Sequence, residues 1–257
     1  TSEYFPLLKT GGLADVSASL TQALASRGHQ VTVVLPGYRQ VLAQVKSVQR
    51  ECSVSGFALW HPVRLLETMR DNIRLWIIDC PALFDRDGGP YQDANKDDWT
   101  DNAQRFAQFS RAVFEVVANR AGWGDKFDIV HCNDWQTGLL PALLSLEKTP
   151  VPSVFTIHNL AYQGNFTRQV FESLLLPADW WSLEAVEFYD KISFLKAGLV
   201  FSDQLTTVSP CYAKEILTPE LGCGLQGVLA YYQEKLQGIL NGADYSLWDP
   251  RQDHYLI

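Results

Sequence analysis

A lysine and two adjacent glycines near the start of the chain stand where a strand gives way to a helix. Lys9, Gly11 and Gly12 follow residues typical of a strand end, and apolar residues then recur at helical spacing. Backbone N–H groups and the dipole at a helix N-terminus suit an anionic group, most often a phosphate. The glycines allow close approach, and the lysine adds a mobile positive charge. We therefore expect an anion-binding turn, with Asp15 in the first helical turn either capping the helix or facing the bound group.

A turn that binds nothing is the alternative explanation. A Gly-Gly pair after a strand often only closes a tight turn, and isolated glycine-rich motifs have a high false-positive rate. The stretch matches neither the dinucleotide pattern G-x-G-x-x-G nor the P-loop, because here the lysine precedes the glycines. Taken alone, the turn leaves both interpretations open.

Polar residues also follow three other predicted strands. Asp134 comes after one strand, His158 and Asn159 after a second, and Asn241 after a short third. The carboxyl ends of parallel strands meet at one sheet edge, so these side chains are expected to converge on the crevice that the Lys9 turn also faces. Each has a purely structural alternative, because Asp caps helices, a strand-end His often fixes a turn, and Asn-Gly is a common turn pair. Their convergence favours a ligand site.

One aromatic residue is a further candidate. Residues 85–101 are rich in Gly and Asp and are predicted to form a loop, which contains Tyr91. The ring either stands at the rim of the site or packs beneath its own loop. The sequence does not decide between these positions.

The elements that would position these residues alternate between strand and helix. Such alternation predicts an α/β fold with a Rossmann-like, doubly wound and mostly parallel sheet, whose ligands bind beyond the carboxyl ends of the strands. Two early strands are expected to form an antiparallel hairpin at one edge. The predicted strands are 31–35, 57–66, 73–78, 128–132, 153–157, 204–208 and 239–240, and the predicted helices are 13–27, 102–121, 138–146, 191–200 and 210–217.

Composition narrows the class of partner. The chain has 257 residues, 47% of them hydrophobic, and a formal net charge of −8 with no evident basic patch, which argues against nucleic acid or an anionic membrane as partner. Its five cysteines are scattered and form no C-x-x-C pair, as expected for reduced thiols in the cytoplasm. No run of apolar residues is long enough to span a membrane, and no His, Cys, Asp or Glu residues have the spacing of metal ligands.

Several motifs in order resemble those of bacterial glycogen synthases and plant starch synthases. The resemblance covers essentially the whole chain. It is carried by Ser2-Glu3, Lys9-Thr10-Gly11-Gly12-Leu13-Ala14-Asp15-Val16, Val33-Val34-Leu35-Pro36-Gly37-Tyr38, Asp101-Asn102-Ala103-Gln104-Arg105-Phe106, His131-Cys132-Asn133-Asp134-Trp135-Gln136-Thr137-Gly138-Leu139, Phe155-Thr156-Ile157-His158-Asn159-Leu160-Ala161-Tyr162-Gln163-Gly164, Thr207-Val208-Ser209-Pro210 and Gly238-Ile239-Leu240-Asn241-Gly242.

The resemblance implies a retaining glucosyltransferase that moves glucose from ADP-glucose to the non-reducing end of an α-1,4-glucan. Such enzymes have two Rossmann-like domains facing a cleft, the GT-B arrangement, and need neither metal nor cofactor. On this basis residues 1–240 are expected to be the N-terminal, acceptor-side domain with a truncated first strand. Residues 241–257 would begin the connection to a C-terminal domain of the same polypeptide. The expected location is the cytoplasm, or the plastid for a plant protein.

The same resemblance suggests roles for individual residues. Lys9, Gly11 and Gly12 would meet the phosphates and glucose of the donor. The sugar and glucan subsites would be lined by Asp15, Asp134, His158, Asn159, Asn241 and Tyr91, with Asp134 and His158 as the catalytic pair.

Two other classes of protein remain as rivals. A nicotinamide-dependent oxidoreductase is disfavoured because no G-x-G-x-x-G follows a strand. A non-catalytic glucan-binding or regulatory module would hold sugar in the same clefts without chemistry. Exposed tryptophans would favour that module, but most of the eight tryptophans lie in patterns typical of buried residues.

Overall fold

The computed structural model describes residues 1–56, 59–148, 150–243, 245, 249 and 251. Its strands are β1 (Thr32–Pro36), β2 (Arg50–Val54), β3 (Val63–Arg70), β4 (Ile73–Asp79), β5 (Val130–Asn133), β6 (Ser153–Ile157), β7 (Asn165–Thr167), β8 (Lys191–Ser193), β9 (Gln204–Thr207) and β10 (Leu236–Gly238). Its α-helices are α1 (Gly12–Ser26), α2 (Arg39–Leu42), α3 (Pro81–Phe84), α4 (Asn102–Val117), α5 (Leu139–Leu144), α6 (Arg168–Ser173), α7 (Phe194–Phe201), α8 (Pro210–Glu215) and α9 (Gln226–Tyr231). Short 3₁₀ turns occupy Trp135–Thr137, Ala178–Trp180 and Gln233–Lys235.

The α/β, Rossmann-like class predicted from the alternating elements is confirmed, and its strands fall into two main sheets. The first has the order β1-β4-β3-β2, in which β1 and β4 are parallel and β3 is antiparallel to both of its neighbours. The predicted antiparallel hairpin is therefore present as β3 and β4, but its position at the edge of the sheet was wrong, because β2 pairs with β3 on one side and β1 with β4 on the other. Its first strand begins at Val63 rather than at 57, and β2 at 50–54 precedes it. Residues 57 and 58 lie outside the described part.

The second sheet is entirely parallel and carries the polar strand ends. Its order is β10-β9-β6-β5, and the registers align Asn133 with Thr156 and Ile157 with Thr207. The last strand occupies 236–238 rather than the predicted 239–240. The carboxyl ends of β5, β6 and β10 therefore lie at the same edge of this sheet, as the sequence predicted, with β9 between β6 and β10.

The two sheets meet where the chain begins. The Thr1 amino group donates a hydrogen bond to the Val34 carbonyl of β1 at 3.2 Å. The same residue also lies near Cys132 of β5. Residues 1–3 thus run between the facing edges of the two sheets. They place Glu3 at the same end of the molecule as the tips of the parallel strands.

Helix boundaries differ from the predictions where local hydrogen bonds intervene. Residues 191–193 form β8 instead of helix, because the Ser193 hydroxyl caps α7 by accepting from the Lys196 N–H. Helix α4 ends at Val117, two residues before Asn119 adopts a positive φ of 57°. The region after residue 240, predicted as the start of an interdomain connection, lies largely outside the described residues.

The core surrounds α4 and the inner strands. Phe106, Phe109 and Ala112 on α4 are almost fully buried, as are Leu65 on β3 and Phe155 on β6. Burial of such side chains supplies the main free energy of folding. No helix within the described ranges is long and apolar enough to cross a membrane.

Candidate active site

A cavity of about 980 Å³ opens where the strand tips and the glycine turn meet. It is lined by Gly11 and Gly12 of the turn and by Asp134, His158, Asn159 and Asn241 from the strand ends. The predicted convergence of these polar groups on one crevice is therefore observed. Other residues that line the cavity were not predicted as site residues, although some belong to the motifs described above. They include Glu3, Thr10, Gln92, Asp98, Trp99, Trp135, Tyr162, Gln163 and Phe166.

The glycine turn is organised around a buried carboxylate that the sequence analysis did not predict. Glu3 is 3% exposed and accepts hydrogen bonds from the backbone N–H of Thr10 at 2.6 Å and of Gly11 at 3.2 Å. Two of the N–H groups expected to meet an anionic ligand are thus already bonded. Helix α1 starts at Gly12 with no side-chain cap. The N–H groups of its first turn, which lack intrahelical acceptors, are those left for a ligand.

Lys9 forms an ion pair with Asp15, and neither residue is among those lining the cavity. The Lys9 Nζ lies 2.8 Å from one carboxylate oxygen of Asp15, with the two side chains 39% and 29% exposed. Exposed pairs of this kind contribute roughly 1 kcal/mol or less. The first-turn position of Asp15 was predicted, whereas its pairing with Lys9 was not.

Asp134 follows β5 in an unusual backbone conformation. Its φ of 55° and ψ of 179° lie in a region that glycine normally occupies. Asp134 occupies the N-cap position of the following 3₁₀ turn, as the structural alternative predicted, but its side chain makes no cap hydrogen bond. Instead, one carboxylate oxygen accepts a hydrogen bond from the backbone N–H of His158 at 2.8 Å. Burial raises the pKa of this carboxyl to about 7, against the opposing effect of the backbone donors of His158 and Asn159.

His158 is held by the end of the neighbouring strand. Its Nε2 lies 2.9 Å from the Asn133 Oδ1, and since a carboxamide oxygen only accepts, Nε2 carries the proton. Burial, with the nearby His131, lowers the pKa of the ring to about 4. At neutral pH the ring is therefore uncharged, and Nδ1 is its hydrogen-bond acceptor.

The two asparagines are placed by their own turns. The Asn159 side-chain oxygen accepts the Ala161 N–H at 3.0 Å, which shapes the turn after β6. The Asn241 N–H donates to the Val208 carbonyl at 3.3 Å and so ties the end of the third polar strand to β9. Both residues line the cavity.

Tyr91 lies both at the cavity and in the core. Its ring contacts Phe106 and Trp135 with centroids 6.0 and 6.4 Å apart, while the residue lines the cavity. Its hydroxyl lies 2.7 Å from the Glu3 carboxylate and 2.7 Å from the Ser2 hydroxyl. The two positions weighed for this ring are therefore combined, because one face of the loop packs inward and the other borders the cavity.

Among the described residues, no group of three or more His, Cys, Asp or Glu side chains is arranged to hold a metal ion. Each of the five cysteines is free of a disulfide. The chemical resources of the site are therefore carboxylate, neutral imidazole and amide groups, with the N-terminus of α1 beside them.

The fold and the site define an α/β protein with a polar cleft at the tips of its parallel strands. Comparison with known families makes this specific. The family model described as the starch synthase catalytic domain matches residues 1–231. The chain belongs to this family.

Named relatives agree with this assignment. Glycogen synthase 2 of Nitrosococcus oceani is 50% identical over 258 aligned residues, which cover 100% of this chain and 52% of the relative. Glycogen synthase of Cellvibrio japonicus is 49% identical, with coverage of 100% and 54%. The chain therefore spans about half the length of the curated relatives it matches.

A solved structure is similar over nearly the whole chain. The catalytic domain of starch synthase IV from Arabidopsis thaliana, bound to ADP and acarbose, matches with a TM-score of 0.83 and 31% identity. The match covers 98% of this chain and 52% of the other. The predicted resemblance to glycogen and starch synthases is confirmed.

Proposed function

We propose that the protein is a glucosyltransferase that moves glucose from ADP-glucose to the non-reducing end of an α-1,4-glucan, retaining the anomeric configuration. The observation that carries the proposal is the convergence of the glycine turn with Asp134, His158 and Asn241 on one cavity. Membership of a family with a solved relative bound to ADP and acarbose supports a nucleotide and a glucan as ligands. The remaining half of the polypeptide would act as the partner domain.

Charge development on the leaving group is the main demand of this reaction. As the bond between glucose and ADP breaks, the phosphate gains negative charge, which preorganised donors stabilise. The first-turn N–H groups of α1 supply such donors. Lys9 would leave its ion pair with Asp15 and pair with the phosphate instead. This exchange costs little free energy because the Lys9–Asp15 ion pair is exposed. On this account neither a metal nor another cofactor is required.

The polar strand tips would hold the reacting sugar. Asp134, His158 and Asn159 stand together at the ends of β5 and β6, where carboxylate, imidazole and amide atoms suit sugar hydroxyls. The acceptor hydroxyl would attack from the face that ADP leaves and pass its proton to the departing phosphate oxygen as the bond between glucose and ADP breaks, so no enzymic nucleophile is needed. Asn241 and Tyr91 would contribute to the sugar and glucan subsites.

A transfer assay tests this function. Radiolabelled glucose from ADP-glucose should be incorporated into glycogen by the full natural polypeptide, and Lys9→Ala should reduce kcat/KM for the donor about a hundredfold. Glucan affinity should change less than about twofold, since the variant removes only a donor-side cation. Lys214→Ala, an exposed substitution on α8, is the matched control and should behave as the parent. Glucan binding without any transfer by the parent would favour a non-catalytic glucan-binding module instead.

A further inference from the structure

A single buried carboxylate joins the two loops that border the cavity. Glu3 accepts four hydrogen bonds, two on each oxygen. Oε2 takes the Thr10 and Gly11 N–H groups at 2.6 and 3.2 Å. Oε1 takes the Thr10 hydroxyl at 2.5 Å and the Tyr91 hydroxyl at 2.7 Å. The glycine turn and the 85–101 loop are thus fastened to the same side chain.

The completeness of this bonding matters because Glu3 is 3% exposed. A buried charge is costly unless it is hydrogen-bonded on every side, and a carboxylate has about four acceptor positions. Removing the carboxylate would leave two backbone N–H groups and two hydroxyls without this acceptor. The four hydrogen-bond donors surround the Glu3 carboxylate and compensate its charge.

The second loop is fixed on its far side as well. Asn102 donates its side-chain N–H to the Tyr91 carbonyl at 2.9 Å, and the Arg105 guanidinium donates to the Asn102 side chain at 2.7 Å and to the Pro90 carbonyl at 2.9 Å. The loop is therefore anchored to α4 behind and to Glu3 in front. A shift of the glycine turn would be transmitted to Tyr91 through one side chain.

We propose that Glu3 is a positioning residue that keeps the glycine turn and Tyr91 in register across the cavity. This inference rests on the proposed function, in which the glycine turn meets the donor and Tyr91 borders the glucan. Glu3 itself would touch neither reacting atom. It would act by directing the first-turn N–H groups of α1 and the ring of Tyr91 toward the same space.

A double-mutant cycle in the full natural polypeptide tests the inference. Glu3→Gln keeps the shape of the side chain but points an amide N–H at groups that are themselves donors. It should raise KM for ADP-glucose about tenfold. Tyr91→Phe removes one hydrogen-bond donor to Glu3 and should raise KM for ADP-glucose about threefold. Since both variants break the same contact, the double variant should lose at least threefold less than the product of the two single effects.

A second readout separates positioning from simple loss of stability. Burial is the main cause of the raised pKa of Asp134 and the Glu3 charge adds to it, so Glu3→Gln should move the corresponding inflection of the pH–rate profile slightly to lower pH. Tyr91→Phe keeps the charge and should leave the inflection in place. Glu67→Gln is the matched control, because the Glu67 carboxylate accepts a hydrogen bond of 2.7 Å from the indole N–H of Trp76 and does not line the cavity. It should leave both KM and the inflection unchanged.

The outcomes are distinct. A parent enzyme that transfers no glucose refutes the proposed function. An active parent in which Glu3→Gln matches Glu67→Gln, or in which the cycle is multiplicative, overturns the positioning role alone. If Glu3→Gln fails to fold, Thr10→Val and Tyr91→Phe, which each remove one hydroxyl from Oε1, form the replacement cycle. Non-additive effects on donor KM then support the inference, and independent effects refute it.

Discussion

Asp134 has two unusual properties. Its backbone adopts a conformation that usually belongs to glycine, and the pKa of its carboxyl group is raised to about 7. A non-glycine residue held there costs on the order of 1 to 3 kcal/mol, which the surrounding structure must offset. The strained turn brings the carboxylate to the His158 N–H and to the cavity. A preferred helix cap in this position would require no such strain.

Asp134→Asn should separate the chemistry of the carboxylate from its hydrogen bond. Asparagine tolerates a positive φ and retains an acceptor for the His158 N–H. We expect transfer activity to fall about a hundredfold or more, because the charged form is lost. Asp203→Asn is the matched control. Its carboxylate accepts the Ser153 N–H at 2.7 Å but does not line the cavity.

The same variant gives a signed effect of pH on stability. Because the folded-state pKa of Asp134 is raised, the folded protein binds more protons than the unfolded chain between about pH 4 and 7. Its contribution to the free energy of unfolding therefore falls as pH rises through that window. His158, whose pKa is lowered to about 4, acts in the opposite sense up to about pH 6.5.

Comparing the variant with the parent isolates the Asp134 contribution. Denaturant unfolding at several pH values measures the free energy of unfolding of both proteins. As pH rises from 4 to 7, the value for Asp134→Asn should increase by about 2 to 4 kcal/mol relative to the parent, with no further change above pH 7. A difference that stays constant with pH would show that the carboxyl titrates normally in the folded protein.

At the scale of the elements, close packing of helices behind the parallel sheet fixes where the strand tips lie. Gly138 is the N-cap residue of α5, where an added Cβ would meet the Phe194 carbonyl oxygen of α7 at 1.9 Å. An added Cβ on Gly198, inside α7, would meet the Phe155 ring of β6 at 2.4 Å. These contacts require the absence of a side chain, although Gly138 has an ordinary helical backbone.

Gly138→Ala should therefore destabilise the protein by about 3 kcal/mol, because backbone rather than a flexible side chain must move. Gly227→Ala on α9 is the control, since nothing lies within 4 Å of its added Cβ. Alanine favours the helix there and should be neutral or stabilising by up to about 1 kcal/mol. Thermal unfolding of the two variants measures the difference, and equal midpoints would contradict the packing argument.

The sequence predicted the elements better than the connections between them. Continuous apolar runs followed by polar residues identified β6 and the site residues after it, because a strand covered on both faces has that pattern. The strain at Asp134 and the pairing of Lys9 with Asp15 depend on tertiary contacts that no local pattern records. Glu3 appeared in the sequence only within a family motif, and its role at the glycine turn could not be predicted because its partner Tyr91 is 88 positions away.

At the scale of the whole molecule, this chain would form one side of the cleft in the two-domain arrangement proposed above. The sequence spans about half of the curated relatives, and the cavity is lined here by residues of the glycine turn and the strand tips. With a net charge of −8, attraction of an anionic donor must come from a few placed groups rather than from the overall charge.

Residues 1–257 alone should bind glucan weakly and transfer essentially no glucose. A donor diphosphate held by one helix N-terminus and Lys9 would lack the second set of contacts expected from the partner domain. Radiolabelled transfer by this segment and by the full polypeptide, at equal concentrations, measures the difference. Robust activity of the segment would contradict the two-domain arrangement.

The four hydrogen bonds to Glu3 also constrain how such a protein can be redesigned. An engineer who transplants only the glycine turn from a homologue, in order to alter nucleotide preference, would bring in a sequence matched to a different Tyr91 loop. The transplanted turn would then face a Tyr91 loop whose conformation fits the original turn. Chimeras that exchange residues 1–16 together with 85–105 should retain activity more often than chimeras that exchange either segment singly.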